Sequence, residues 1–200
     1  MRVAIVLAAG ASRRMGRPKL DLDLGGKTLV ERSVQNLLDG SVDRVRLVVP
    51  PGEALALTAP ALTALAPTKS LEVIRNPNRD GGLSSSLRVG LRGLPTATRV
   101  VLVALADKPL VKPETIRKLV DVFEEGGAKV VYPVYRGEQG HPVLWDVALV
   151  DELSGVEGDR GAKSMLDAHR LEALAVPVDD AGVCFDIDTP EDYAAALELL

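Results

Sequence analysis

The chain has 200 residues, 46% hydrophobic and 26% charged, which places it among globular domains with a full core and excludes a disordered tail. A net charge of −4 argues against a general nucleic-acid binder, and no apolar run nears the roughly 18 residues of a membrane span. The single Cys184 allows no disulfide within the chain, and the opening residues lack a signal-peptide layout, so a cytoplasmic protein with neither nucleic acid nor membrane as partner is expected.

Aromatic residues make up only 3%, so the core must be built of Leu, Val, Ile and Ala. Residues 2–7 form a short apolar run, as expected of a strand buried on both faces. Helical spacing of Leu29, Val30, Val34, Leu37 and Leu38 predicts a helix over 28–38, followed by a strand over 42–49. The Ala/Leu-rich stretch 51–67, bounded by prolines, predicts a second helix. A strand over 71–75, a helix over 84–94 and a very apolar strand over 99–106 follow. Pro113 opens a helix to residue 125, and strands are predicted over 129–134 and 142–144. After a helix over 161–169 come strands over 171–178 and 183–187. Thr189 to Asp192 reads as a capping box for a last helix, with Asp in place of the usual Glu and Pro at the first helical position.

Strands alternating with helices predict an α/β fold on a mostly parallel sheet, in one domain over residues 1–200. Ligands of such sheets lie outside the carboxyl ends of the strands. The loops 8–19, 76–86, 107–111 and 186–189 are therefore where function is expected.

The first of these loops is "VLAAGASRRMGRPK", Val6 to Lys19. Its small residues let backbone amides approach an anion, and Arg14 and Lys19 can add charge-assisted bonds to phosphate oxygens. Its spacing is not G-x-G-x-x-G. Gly26-Lys27-Thr28 imitates the end of a Walker A motif but has Asp21 where the first glycine belongs. Composition alone leaves an anion site and a surface loop of solvated arginines equally open. Asp107, at the end of the apolar strand "VVLVALAD", faces the ligand crevice, unless it is only a turn residue before Pro109. Asp186 and Asp188, two apart on a predicted strand, share a face.

"LAAGASRRMGRPK" resembles the signature L-A-A-G-x-S-x-R-M-G-x-x-K of the nucleotidyltransferases, matching at Leu7, Ala8, Ala9, Gly10, Ser12, Arg14, Met15, Gly16 and Lys19. "RNPNRDGGLSSSLRVGL", with Asn76, Gly82, Ser84 and Ser86, together with "GHPVL", "GDRGAK" and "DIDTPEDY", resembles the molybdenum cofactor cytidylyltransferase branch of the molybdopterin-guanine dinucleotide synthase-like family. The resemblance implies a Rossmann-like three-layer sandwich of the nucleotide-diphospho-sugar transferase type, with a mixed sheet. It implies transfer of CMP from CTP to the terminal phosphate of molybdopterin, with release of pyrophosphate.

In that family the first loop wraps the triphosphate. The implied nucleotide site is Leu7, Ala8, Ala9, Gly10, Ser12, Arg14, Lys19, Asn76, Gly82, Ser84, Ser86 and Asp107, with Arg14, Lys19 and Asp107 catalytic. Mg²⁺ would be held by Asp107 with Asp188 or Asp186, because it favours one or two carboxylates plus phosphate oxygens. His141, Asp159 and Lys163 would face the acceptor, and a molybdoenzyme or its chaperone would receive the product. Lys163 stands where the branch has Arg and loses the planar fork, and Lys108 stands where it often has Gln, paired with phosphate or solvated. Cys184 reads as core, and Trp145 as packing or an edge of the acceptor pocket. A guanylyltransferase, an enzyme for another small phosphate acceptor, and a non-catalytic module that delivers nucleotide or cofactor are the competing readings.

Overall fold

Strand β1 (Arg2–Leu7) sends Val3, Ile5 and Leu7 into one apolar layer and Ala4 and Val6 into the other, the period-2 alternation of an extended chain. A strand apolar on both faces belongs inside a sheet. It lies between β2 (Arg44–Val49) and β4 (Val100–Leu105), parallel to both. The computed structural model describes residues 1–8, 19–51, 70–78, 81–158 and 161–200, with backbone only for 161–164. The predicted helix over 51–67 lies outside the described residues.

Among the described residues the sheet runs β3 (Leu71–Arg75), β2, β1, β4, β7 (Val143–Asp146), β5 (Val130–Tyr135), with β8 (Ala173–Pro177) also paired to β5. The short β6 (Glu138–Gln139) folds back on the end of β5 through Arg136 and Gly137, both at positive φ, the turn whose twist suits a two-residue hairpin. β7 is antiparallel to β4 and β5, while β3, β2, β1 and β4 are parallel to their neighbours, as β8 is to β5. The sheet is mixed and mostly parallel, as expected.

Helices cover both faces. Helix α1 (Leu29–Asp39) and α3 (Pro113–Glu124) pack through Val30, Val34, Leu37, Ile116 and Leu119 on Ala4, Val6, Leu47 and Leu102. On the other face α2 (Gly82–Leu91), α4 (Val150–Gly155) and α5 (Gly161–Ala168) join Val3, Ile5, Val101 and Val103 through Leu87, Leu91, Leu153 and Leu166. Gly90 lets α2 settle directly on β1, since a Cβ there would collide with Ile5. The last helix, α6 (Pro190–Glu198), starts at the expected capping box: Thr189 accepts from the Asp192 amide, and the Asp192 carboxylate accepts from the Thr189 amide. No helix among the described residues is long and apolar enough to cross a membrane.

The predicted strand over 183–187 does not form. Asp180 instead accepts from the amides of Gly182 and Lys112 and the Thr115 hydroxyl, which folds 181–183 into a 3₁₀ turn at the start of α3. Side-chain bonds to nearby amides give the backbone an alternative to a sheet ladder. Gly182 presses on the Leu110 backbone so closely that no Cβ fits. Asp186 and Asp188 therefore leave an irregular segment and do not share a strand face.

The connections from β1 run outward to β2 and β3, and the chain then returns to β4 on the other side of β1. This reversal opens a crevice at the carboxyl ends of β1 and β4, the usual ligand position in such sheets.

Candidate active site

Three segments bring charge to that crevice. Lys19 begins a 3₁₀ turn whose Leu20 is buried in the core under α1, so the backbone of the lysine is fixed. Asp107 lies two residues beyond β4. Two polar side chains on the otherwise apolar face of α1 hold its loop: Ser33 Oγ donates to Ala106 O at 3.0 Å, and Asn36 Nδ2 to Pro109 O and Val111 O at 3.0 and 2.9 Å. Asp188 is carried by the segment before α6. Ile187, fully buried, donates its amide to Asp107 O at 3.0 Å and ties this segment to the β4 loop.

The result is a three-membered cluster. Lys19 Nζ donates to Asp107 Oδ2 at 2.8 Å and to Asp188 Oδ1 at 2.6 Å. The Lys19 side chain is 7% exposed, and those of Asp107 and Asp188 are 27% and 31% exposed. Burial opposes the lysine charge, but the charges and hydrogen bonds of Asp107 and Asp188 outweigh it and raise its pKa above 10.5. Asp107 Oδ1 is buried and finds no hydrogen-bond partner among the described residues. A buried carboxylate oxygen without a partner is costly and needs an explanation. Two hard oxygen donors in reach of one cation, one with a spare buried lone pair, fit Mg²⁺ or Mn²⁺. No group of three or more His, Cys, Asp and Glu that could hold a metal occurs among the described residues, so a cation here would rely on these two carboxylates plus ligand oxygens.

Asp186 takes another course. It pairs with Lys108 Nζ, so Lys108 is buried against a carboxylate and not solvated. Of the two carboxylates expected near the metal, Asp188 reaches Asp107, while Asp186 is engaged by Lys108.

Beside the cluster lies a cavity of 430 Å³ under α2. Leu7, Leu87, Val103, Leu105 and Trp145 form its apolar wall, and Ser84, Glu138, Gln139 and His141 its polar points. No Lys or Arg lines it among the described residues. His141 Nδ1 lies 3.4 Å from Val103 O, a carbonyl that can only accept, so the proton sits on Nδ1. Burial, and then the nearby Lys108 cation, push the imidazole pKa below 6.5 and keep it neutral. Nε2, without a hydrogen-bond partner among the described residues, keeps its lone pair.

Asn76 and Ser86 do not open onto this space. Asn76 is fully buried, and its amide donates to Ser85 Oγ at 3.2 Å and Ser86 Oγ at 3.1 Å. Ser86 is 1% exposed. Both fasten the end of β3 to the first turn of α2. Gly82, at φ 67°, starts the turn, and Ser84 and Leu7 do line the cavity. Ala8 is buried, with its amide on Val48 O. Cys184 is half-buried and packs against the edge of the main core, with its thiol pushed up by burial. Ala9, Gly10, Ser12, Arg14 and Asp159 lie outside the described residues, as does the Lys163 side chain.

Sequence reasoning missed Ser33 and Asn36. The signal was present, as two polar residues three apart on an apolar helix face. It also missed Glu138 and Gln139, which reach the cavity only because the hairpin turns back beside it.

The sheet order and the acidic crevice define an α/β enzyme of the nucleotide-diphospho-sugar transferase fold. Residues 4–174 match the MobA-like NTP transferase domain, and the chain belongs to that family of nucleotidyltransferases. It is 32% identical to the purine catabolism protein PucB of Bacillus subtilis, covering 96% of this chain and 93% of that one. It is 28% identical to a molybdenum cofactor guanylyltransferase of Rhizobium meliloti (96% and 89% covered), and 25% identical to the molybdenum cofactor cytidylyltransferase of Escherichia coli (97% and 94%). Among solved structures, a nucleotidyl transferase of Methanothermobacter thermautotroptrophicus superposes with a TM-score of 0.81 at 27% identity, covering 100% of this chain and 97% of that one. The manganese complex of Rv0371c from Mycobacterium tuberculosis gives 0.74 at 26% identity, covering 100% and 99%.

Proposed function

We propose that this nucleotidyltransferase moves CMP from CTP to the terminal phosphate of molybdopterin, releasing pyrophosphate, with Mg²⁺ or a like cation held by Asp107 and Asp188. The observation that carries the reading is the convergence of both carboxylates on the Lys19 amine at the crevice between β1 and β4. The manganese complex of a structural neighbour and the likeness to molybdenum cofactor cytidylyl- and guanylyltransferases support it. When bound, the cation would neutralise phosphate charge and so ease the approach of one anion to another.

The chain's own residues do the rest by positioning. The acceptor phosphate is already a competent nucleophile, so no covalent enzyme intermediate is required. Lys19, with Arg14 from the same loop, supplies positive charge for the leaving phosphates. The 430 Å³ cavity has the volume and the largely apolar wall for the ring part of the acceptor. His141 Nε2 accepts a hydrogen bond from an N–H of that ring, and Asp159 and Lys163 complete the acceptor side. CTP is favoured by the double alanine in "LAAG", Leu7 to Gly10, since the guanylyl branch reads L-A-G-G. The product would pass to a molybdoenzyme or its chaperone.

Pyrophosphate release is measured with Mg²⁺ and molybdenum-loaded molybdopterin, supplied in turn with CTP, GTP and ATP. Release with CTP supports the full reading. Release with GTP alone keeps the chemistry and moves the nucleotide. No release with any of the three, from folded protein, contradicts the acceptor.

A further inference from the structure

The two carboxylates assigned to a divalent cation are already held by the Lys19 ammonium. Asp107 Oδ2 and Asp188 Oδ1 lie 2.8 and 2.6 Å from Nζ. A divalent ion on the same two carboxylates, through Asp107 Oδ1 for instance, meets the ammonium there. Both carry positive charge beside a side chain only 7% exposed, where water screens the repulsion weakly. A cation that enters therefore competes with the lysine for these carboxylates. The backbone of Lys19 cannot move far, because Leu20 is buried and the Leu22 amide bonds Lys19 O at 3.1 Å. The side chain can swing, since Lys carries a compact charge on a flexible four-carbon stem. It needs another anion to go to, and the triphosphate is the one this site is built to receive.

We propose that Lys19 is a built-in competitor for the cation position: it holds Asp107 and Asp188 together until a triphosphate draws its ammonium away, so that cation and nucleotide bind cooperatively and the cation alone binds weakly. The inference rests on the reading of Asp107 and Asp188 as the cation site. It gives Lys19 a second role beside phosphate binding. It also explains how two carboxylates remain close together without mutual repulsion prising the β4 loop from the segment before α6.

The test is Mn²⁺ binding, followed by electron paramagnetic resonance. Mn²⁺ alone is titrated into the wild type and into Lys19→Met, which keeps the length of the stem and removes the charge. The variant is expected to bind Mn²⁺ alone more tightly than the wild type by about 5- to 150-fold, the range typical of coupled sites. Equal or weaker binding by the folded variant would overturn the competition. Binding by neither protein, even with CTP or GTP present, would instead overturn the cation reading of Asp107 and Asp188.

A second measurement needs no substitution. The rate of Lys19 acetylation by an activated ester, read by mass spectrometry, should rise when Mn²⁺ alone saturates the wild-type protein, because the ammonium is released to solvent. An unchanged rate with Mn²⁺ bound would mean that the lysine stays on its carboxylates and that the two cations do not compete.

Discussion

Lys19 and Lys108 stand at the same end of the sheet, and each is 7% exposed. Their company differs. Lys108 has one carboxylate, Asp186, which is 49% exposed, and the pair is balanced in charge. Among the described residues Lys19 has two, Asp107 and Asp188. A balanced pair stabilises a fold and asks for nothing more. Two carboxylates on one amine, with a buried Asp107 Oδ1 that has no partner among the described residues, are the arrangement proposed to take a cation. The difference separates the chemistry of Asp188 from the supporting role of Asp186, although the two lie two residues apart.

The sharpest way to break this contrast is at Asp107. Asp107→Ala should lower kcat by at least about 10²- to 10³-fold, the loss typical of removing one charge-stabilising group, while the protein stays folded. A variant that turns over normally would end its catalytic assignment. The next effects fall on stability. Gly182→Ala drives a methyl group into the Leu110 backbone and should cost about 1–3 kcal/mol in denaturant unfolding. Asn76→Ala strips partners from Ser85 and Ser86 in a closed network and should cost a similar ~1–3 kcal/mol. If Asn76→Ala were as stable as the wild type and lost only nucleotide affinity, its fastening role would be wrong. Asp186→Asn should be milder, about 1 kcal/mol, because its partner Lys108 is buried but Asp186 itself is half exposed.

The smallest effect is expected far from the crevice, at a surface ion cluster that acts as a control. His169 is raised above 6.5 first by its hydrogen bond to Glu152 and also by that to Glu172. A raised folded pKa gives stability that is present in full below 6.5 and fades as pH rises through the folded value. The stability gap between wild type and His169→Gln should therefore be wider at pH 5.5 than at pH 8.5. A gap that is constant across this range would remove the charge from the explanation.

Much of this was legible in the sequence. The apolar runs marked β1, β2 and β4 to within two residues: β4 is apolar throughout, β1 is apolar after Arg2, and β2 keeps Val45, Leu47, Val48 and Val49 around Arg46, as doubly covered strands require. Pro113 and the Thr189–Asp192 box marked helix starts by stereochemistry that the surroundings do not override. The run Val183 to Ile187 failed, because an apolar stretch says that it is buried but not in what conformation; the partners of Asp180 come from 65 to 68 residues away in the chain. A still longer separation in sequence hid the pairing of Lys108 with Asp186, and that pairing separates two carboxylates which their spacing alone made equivalent. Asn76 is implied as a ligand contact by the resemblance of its segment, and only its complete burial shows that its amide is already engaged.

The central claim is that Asp107 and Asp188, and not Asp186, form the working pair. It is tested most directly by nucleotide-dependent pyrophosphate release in Asp188→Asn and Asp186→Asn under identical Mg²⁺ conditions. The account predicts that Asp188→Asn loses at least about 10²-fold in kcat while Asp186→Asn stays within a few-fold of wild type. Equal losses in the two variants, or a larger loss in Asp186→Asn, would contradict it.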